Sequence, residues 1–140
     1  MSEFVKENHN YNAGWAKDLF SDVAVVSGTP RFIFLSGVSS EDPEATDLMT
    51  VRIQGADFAE RCRIAFHKIK KLLAAEGATM NDIVRMTAYV TDAANLWTYF
   101  QIQGEELDGA SRPPHTFLQV AGLAVPQMQV GIEVTAVVAP

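Results

Sequence analysis

The chain has 140 residues, of which 48% are hydrophobic and 20% charged, so its length fits one domain that buries roughly two-thirds of its unfolded surface. Its formal net charge of −6 argues against a nucleic-acid partner, because such binding requires a face rich in lysine and arginine. No apolar run approaches the roughly 18 residues of a membrane span and no signal peptide is evident, so we expect a cytoplasmic protein without a membrane partner.

The first 20 residues are polar and rich in asparagine, yet they contain four aromatic residues: Phe4, Tyr11, Trp15 and Phe20. This aromatic content is too high for a disordered tail, so we expect residues 1–20 to form an arm that packs near a cleft of the domain at 21–140. A strand is predicted over 21–26 and a turn over 27–30. A second strand, over 31–36, is rich in β-forming residues and ends at Gly37.

The clearest predicted element is a helix over 57–76. Its apolar residues recur at helical spacing, and Gly77 stands where a helix stop is expected. Cys62, the single cysteine, falls on the apolar stripe and is read as a small buried side chain. His67 lies beside the basic face, so we expect it to be solvated.

A further strand is predicted over 83–90 and a second amphipathic helix from 95 to about 107. Two final strands follow the linker at 109–114 and are expected to meet across a turn. The pattern predicts an α+β fold, a mixed sheet with both helices on one face. The other face is too apolar for water, and its candidate residues are Phe32, Phe34, Thr87, Tyr89, Phe117 and Val137. We therefore expect a homo-oligomer that covers this face.

Two ionisable residues stand out in the last strands, His115 in the first and Glu133 in the second. A carboxylate inside so apolar a strand is costly unless it is paired or functional, so Glu133 is a candidate general base. Both side chains are expected to face one crevice. The alternative is that Glu133 only satisfies backbone donors at a subunit junction, with His115 as its structural partner.

Several stretches together resemble the Rid/YjgF family, the reactive-intermediate deaminases. They are FIFLSG at 32–37, LLAAEGA at 72–78, MNDIVRMTAYVTD at 80–92, RPPHTFLQVA at 112–121 and IEVTA at 132–136. The resemblance implies a chorismate-mutase-like subunit in a homotrimer around a central β-barrel, with small-molecule sites between subunits. It also implies hydrolysis of imines or enamines to a carbonyl and ammonia, without metal or cofactor.

Carried over one position at a time, the family's catalytic glutamate falls on Glu133 and its substrate-binding Ser-Gly pair on Ser36 and Gly37. The carboxylate-binding arginine falls on His115 and an asparagine on Phe100. The resemblance also implies an aromatic residue from the N-terminal segment, and its position falls on Phe20.

Two of these positions depart from the family. The signature Pro-x-Arg-[Ser/Thr] reads Pro-Pro-His-Thr at 113–116, and a histidine lacks the permanent charge and bidentate fork of an arginine. Arg112 either supplies the missing cation or solvates the loop. Because Phe100 replaces an amide, the site favours a larger, more conjugated substrate, such as 2-aminomuconate from aromatic degradation. The alternative function is a non-catalytic trimeric protein that binds a metabolite.

Overall fold

The computed structural model describes residues 3–11 and 14–140. Within this part the chain forms β1 (Phe4–His9), β2 (Val23–Gly28), β3 (Arg31–Phe34), α1 (Phe58–Ala75), β4 (Ile83–Val90), α2 (Leu96–Leu107), β5 (His115–Gln119) and β6 (Val130–Val138). Neither of these helices has both the length and the apolar character that a bilayer crossing requires.

The four strands of the main sheet lie in the order β3-β6-β4-β5. Strand β6 is antiparallel to both of its neighbours, whereas β4 and β5 are parallel. Parallel neighbours need a crossover connection, and α2 provides it between β4 and β5. Both helices pack their apolar residues against the same face of this sheet. The predicted α+β fold with two helices on one face of a mixed sheet is confirmed.

The predicted hairpin between the last two strands is wrong, because β4 lies between β5 and β6. The connection at 120–129 carries the chain past the end of β4 instead of turning back. Arg61 of α1 binds this connection, donating to the carbonyl of Gln127 and to the side chain of Gln129, each at 2.9 Å. Glycine and proline in the connection are typical of a turn, but they do not specify which strands the turn joins.

The N-terminal segment contains a strand that the pattern did not predict. Strand β1 pairs antiparallel with β2, and the two form a separate two-stranded sheet. Strand β2 itself begins at Val23, two residues later than predicted. Residues such as Lys6 and Asn8 break the apolar alternation of β1, which is why this strand was not recognised. The tie to β2 anchors residues 4–9 to the rest of the chain.

Helix α1 begins and ends as its sequence predicts. The Asp57 side chain caps it by accepting from the backbone N–H of Glu60, at 2.9 Å. Gly77 follows its end with a φ of +77°, a conformation that favours glycine. Cys62 is fully buried, as expected, and burial raises its pKa to about 12, so the thiol stays protonated. His67 lies on the exposed side of the helix, also as expected.

A substitution at the centre of the core tests this packing. Phe66 is fully buried in α1 and lies 5.9 Å from the ring of Tyr99 in α2. We expect Phe66→Ala to lower the free energy of unfolding by about 3–5 kcal/mol, because it removes a large buried ring and leaves a cavity. Urea titration measures this loss, with Leu72→Ala on the exposed side of the same helix as the control. Equal losses in both variants would contradict this core assignment.

The face of the sheet opposite the helices, here called the open face, carries exposed aromatic residues. Phe32 and Phe34 of β3 are 53% and 74% exposed, and their rings stack 6.0 Å apart. Thr87 and Tyr89 of β4 share this face with them, as predicted. The placement of Phe117 there is wrong, because its ring contacts Tyr99 of α2. The open face nevertheless exposes the stacked rings of Phe32 and Phe34, which a partner is expected to cover.

Candidate active site

Glu133 and His115 lie on opposite faces of the sheet. In β6 the even-numbered residues from Val130 to Ala136 are buried towards the helices, so Glu133 points to the open face and is exposed. The His115 ring lies 5.2 Å from that of Phe100 in α2, on the helix face. The expectation that the two side chains face one crevice from adjacent strands is therefore wrong, and so is the expected burial of Glu133. The error follows from the wrong hairpin, which made β5 and β6 neighbours.

The Glu133 carboxylate is held by a residue of the neighbouring strand. The Tyr89 hydroxyl donates a hydrogen bond to it at 2.5 Å. This bond, together with the charge of the carboxylate, raises the pKa of Tyr89, so the phenol stays protonated and remains a donor. A carboxylate held on one side keeps its other lone pairs free for a second donor, such as a water molecule.

A hollow of about 340 Å³ surrounds Glu133 and is here called the open-face hollow. It is lined by Phe34, Leu35, Arg85, Thr87, Glu133, Val134 and Thr135. Arg85 is one of the lining residues, and its Nη2 donates to the Thr116 hydroxyl at 2.5 Å. The hollow thus combines a carboxylate, a cation and exposed aromatic surface.

Ser36 and Gly37 lie alongside Glu133. The backbone N–H of Leu35 donates to the carbonyl of Val134 at 3.1 Å, and that of Val38 donates to the carbonyl of Ile132 at 2.7 Å. The two bonds are made to the residues on either side of Glu133 in β6. Ser36 and Gly37 lie between the two donors in the chain and therefore next to Glu133. Both residues are exposed. Three of the predicted site residues therefore come together on the open face.

A second cavity, here called the aromatic pocket, lies on the helix face and has a volume of about 380 Å³. It is lined by Trp15, Leu19, Phe20, Leu96, Trp97, Phe100, His115 and Phe117. The predicted residues Phe20, Phe100 and His115 thus also come together, but apart from Glu133. Phe20 is held by Trp15, whose ring meets it edge-on at 6.0 Å. The N-terminal segment therefore forms one wall of this pocket.

His115 is a neutral imidazole in this setting. Its Nε2 lies 2.7 Å from the hydroxyl of Tyr99, whose pKa burial raises well above its ordinary value. Burial, assisted by the charge of Arg85, lowers the pKa of His115 to about 4. At neutral pH the ring therefore carries no charge with which to attract a carboxylate.

Arg112 belongs to neither cavity. Its Nε donates to the carbonyl of Asp18 at 3.0 Å and its Nη1 to that of Ala110 at 3.2 Å. Its own carbonyl accepts from Asn8 and Ser21. In this structure Arg112 anchors the N-terminal segment to the loop before β5.

The sequence pattern places Tyr89 on the uncovered face but gives neither Tyr89 nor Arg85 a place in the site, although a signal for both is present. In β4 the polar or amphipathic residues Arg85, Thr87 and Tyr89 alternate with fully apolar ones, so they share one face. That face becomes informative only once β4 is known to lie beside β6. As for metals, no group of three His, Cys, Asp or Glu side chains within residues 3–11 and 14–140 is arranged to hold an ion.

The lowered pKa of His115 predicts a pH-dependent stability. The unfolded imidazole titrates near 6.5 and the folded one near 4, so between these values the unfolded state binds more protons. Stability is then lost as the pH falls, by about 2 kcal/mol from His115 alone between pH 7 and pH 4.5. His115→Phe lacks this titration, so its unfolding free energy should fall less steeply in urea titrations at the two pH values. Parallel losses in the two proteins would contradict a buried neutral imidazole.

Comparison with known proteins identifies the family. A family model described as endoribonuclease L-PSP matches residues 13–138. A RutC family protein of Pyrococcus abyssi is 28% identical over 93 residues, which span 66% of this chain and 68% of that protein. TdcF of Escherichia coli is 29% identical over 70 residues, which span 49% of this chain and 54% of TdcF.

Solved structures agree with this result. YyfB from Yersinia pestis, a Rid family protein, superposes with a TM-score of 0.81 at 24% identity and covers 95% of this chain and 98% of YyfB, a likeness of fold. A crystal structure of Escherichia coli TdcF with bound serine gives a TM-score of 0.67 at 26% identity, covering 77% of this chain and 81% of TdcF. Because the family model spans most of the chain, the resemblance is confirmed, and the chain belongs to the endoribonuclease L-PSP family, the Rid/YjgF proteins.

Proposed function

We propose that this protein hydrolyses an imine or enamine derived from an amino acid to a carbonyl compound and ammonia, without a cofactor. The observation that carries the proposal is the Glu133 carboxylate, held by Tyr89 in a hollow that also contains Arg85. Family membership supports it, since TdcF is named as a candidate reactive intermediate deaminase. Bound serine in a TdcF structure shows that this relative can hold an amino acid.

In the proposed reaction Glu133 takes a proton from a water molecule while the oxygen adds to the carbon of the C=N bond. Glu133 returns this proton to the nitrogen to give an amino alcohol. The C–N bond then breaks as the hydroxyl proton passes to the departing nitrogen, which leaves a carbonyl and ammonia. Arg85 binds the substrate carboxylate, because its planar guanidinium suits that group. The backbone N–H groups of Ser36 and Gly37 contribute donors at the edge of the hollow.

A complete site in this proposal needs two subunits. The open-face hollow and the aromatic pocket lie on opposite faces of one sheet, so one protomer cannot present both to one small molecule. Strand β5, which carries His115, is an edge strand of the four-stranded sheet, and edges and apolar faces are where subunits meet. We propose that the hollow of one subunit faces the aromatic pocket of the next in a homotrimer.

A second candidate function is metabolite binding without turnover. It is favoured by the neutral His115 and by Phe100, which leave the aromatic pocket without the charged clamp that the family resemblance implies. The two functions predict opposite results in an assay of ammonia release.

The test is a panel of two 2-imino acids, generated in the assay by an amino-acid oxidase, and one enamine that is supplied directly. A small imine from alanine, an aromatic one from phenylalanine and the conjugated dicarboxylate 2-aminomuconate cover the relevant sizes and charges. We expect ammonia release from at least one of them to exceed the rate in buffer by about a hundredfold or more. Rates equal to buffer throughout, with binding retained, would leave metabolite binding as the function.

A further inference from the structure

We infer that the aromatic pocket selects an uncharged aromatic or conjugated group bearing a hydrogen-bond acceptor, and rejects a carboxylate. The inference rests on the proposed function, since it treats this pocket as the part of the site that receives the far end of the substrate. Three features carry it: a locked tautomer of His115, an unpartnered ring nitrogen, and a lining without charge.

The tautomer follows from counting hydrogen bonds. Tyr99 is fully buried, and its hydroxyl is within hydrogen-bond distance of His115 Nε2 at 2.7 Å. If the hydroxyl donates, Nε2 is the acceptor and the ring proton sits on Nδ1. If Nε2 instead donated, both the hydroxyl proton and Nδ1 would lack a partner. Burying a polar group without a hydrogen bond is costly. The tautomer that leaves one such group unbonded is therefore more stable than the one that leaves two.

The group left without a hydrogen bond is the Nδ1–H of His115. This atom is buried and has no hydrogen-bond partner among the described residues. A buried donor without a partner is destabilising, and a ligand oxygen or pyridine-type nitrogen that reached it would remove that penalty. His115 lines the aromatic pocket, so this N–H is a donor for an acceptor of the ligand, where the family signature offers a cation to an anion.

The remaining walls favour a flat apolar ligand. The rings of Phe100 and Phe117 lie 5.9 Å apart, and the two tryptophans, Trp15 and Trp97, are 71% and 68% exposed around them. No charged side chain is found among the described residues that line the pocket. A carboxylate moved from water into such surroundings loses its hydration without gaining a counter-charge. A dicarboxylate such as 2-aminomuconate would place its second carboxylate here and is predicted to be a poor substrate.

Tryptophan fluorescence tests the inference without requiring turnover. The chain contains two tryptophans, and both line this pocket, so quenching reports on it directly. Benzamide, benzoate and toluene share one ring and differ as neutral acceptor, anion and apolar group. At pH 7.5 we expect benzamide to bind roughly tenfold or more tightly than benzoate and about fivefold more tightly than toluene.

Substitutions of His115 test whether its imidazole causes this selectivity. His115→Phe should abolish the preference for benzamide over toluene, and His115→Arg should reverse the preference for benzamide over benzoate. His67→Arg makes the same change on the exposed surface of α1 and should leave both ratios unchanged. The comparison of the three probes on the unmodified protein stands even if a variant fails to fold.

Stronger binding of benzoate than of benzamide would overturn the inference. So would the absence of quenching by any probe, which would mean that the pocket is filled, for instance by side chains of a neighbouring copy. The two proposals fail separately: selective binding with no ammonia release refutes the proposed function, whereas ammonia release with a preference for benzoate refutes only the pocket assignment.

Discussion

Replacing Glu133 by glutamine should reduce ammonia release from the best imine substrate by about 10²–10³-fold. The amide keeps the size of the side chain and an oxygen that can accept the hydrogen bond from Tyr89, but it cannot take a proton from water. The loss should appear in kcat, with little change in substrate binding, because the proton is transferred only in the reaction. Steady-state kinetics with coupled detection of ammonia measure both parameters.

The matched control is Glu105→Gln, the same change at an exposed position of α2 whose carboxylate pairs with Arg63. It should retain the full rate. Near-native turnover by Glu133→Gln would remove the proposed general base and with it the proposed mechanism.

Introducing a charge at Phe34 should dissociate the oligomer. Phe34 is 74% exposed on the open face and stacks on Phe32, so an interface that covers this face would bury it. An unpaired carboxylate buried there costs several kcal/mol, enough to shift a micromolar trimer to monomers. For Phe34→Asp we expect the mass measured by light scattering after size exclusion to fall from about three chains to one.

Met49→Asp is the control, since it places the same charge on an apolar residue that is 93% exposed and lies outside the sheet. It should leave the mass at three chains. A monomeric unmodified protein at micromolar concentration would contradict the idea that a second copy covers the open face.

The local pattern predicted most of the elements. Helix α1 has an apolar stripe, a capping aspartate and a glycine stop, and β4 has its predicted bounds, Ile83–Val90. Strand β1 was missed because its polar residues conceal the alternation. Local signals fail where long-range pairing decides, because a turn sequence after β5 does not say that β4 separates it from β6.

The same limit explains the result for the candidate site. Six of the seven predicted residues lie in or beside one of two cavities, Glu133 with Ser36 and Gly37, and His115 with Phe100 and Phe20. Alternation along a strand relates residues of that strand to each other. It does not show whether a residue of β5 and a residue of β6 lie on the same side of the sheet. That depends on the order and direction of the strands between them. Only the structure therefore shows that the predicted site residues are divided between the two faces of the sheet.

Subunit mixing tests most directly whether Glu133 and His115 of different copies form one site. Glu133→Gln and His115→Ala, each impaired alone, are unfolded together, refolded as mixed oligomers and assayed. If each site takes Glu133 from one subunit and His115 from its neighbour, about a quarter of the sites in a random mixture carry both native residues, and activity returns to about that fraction. Activity no greater than the mean of the two variants would contradict a site shared between subunits.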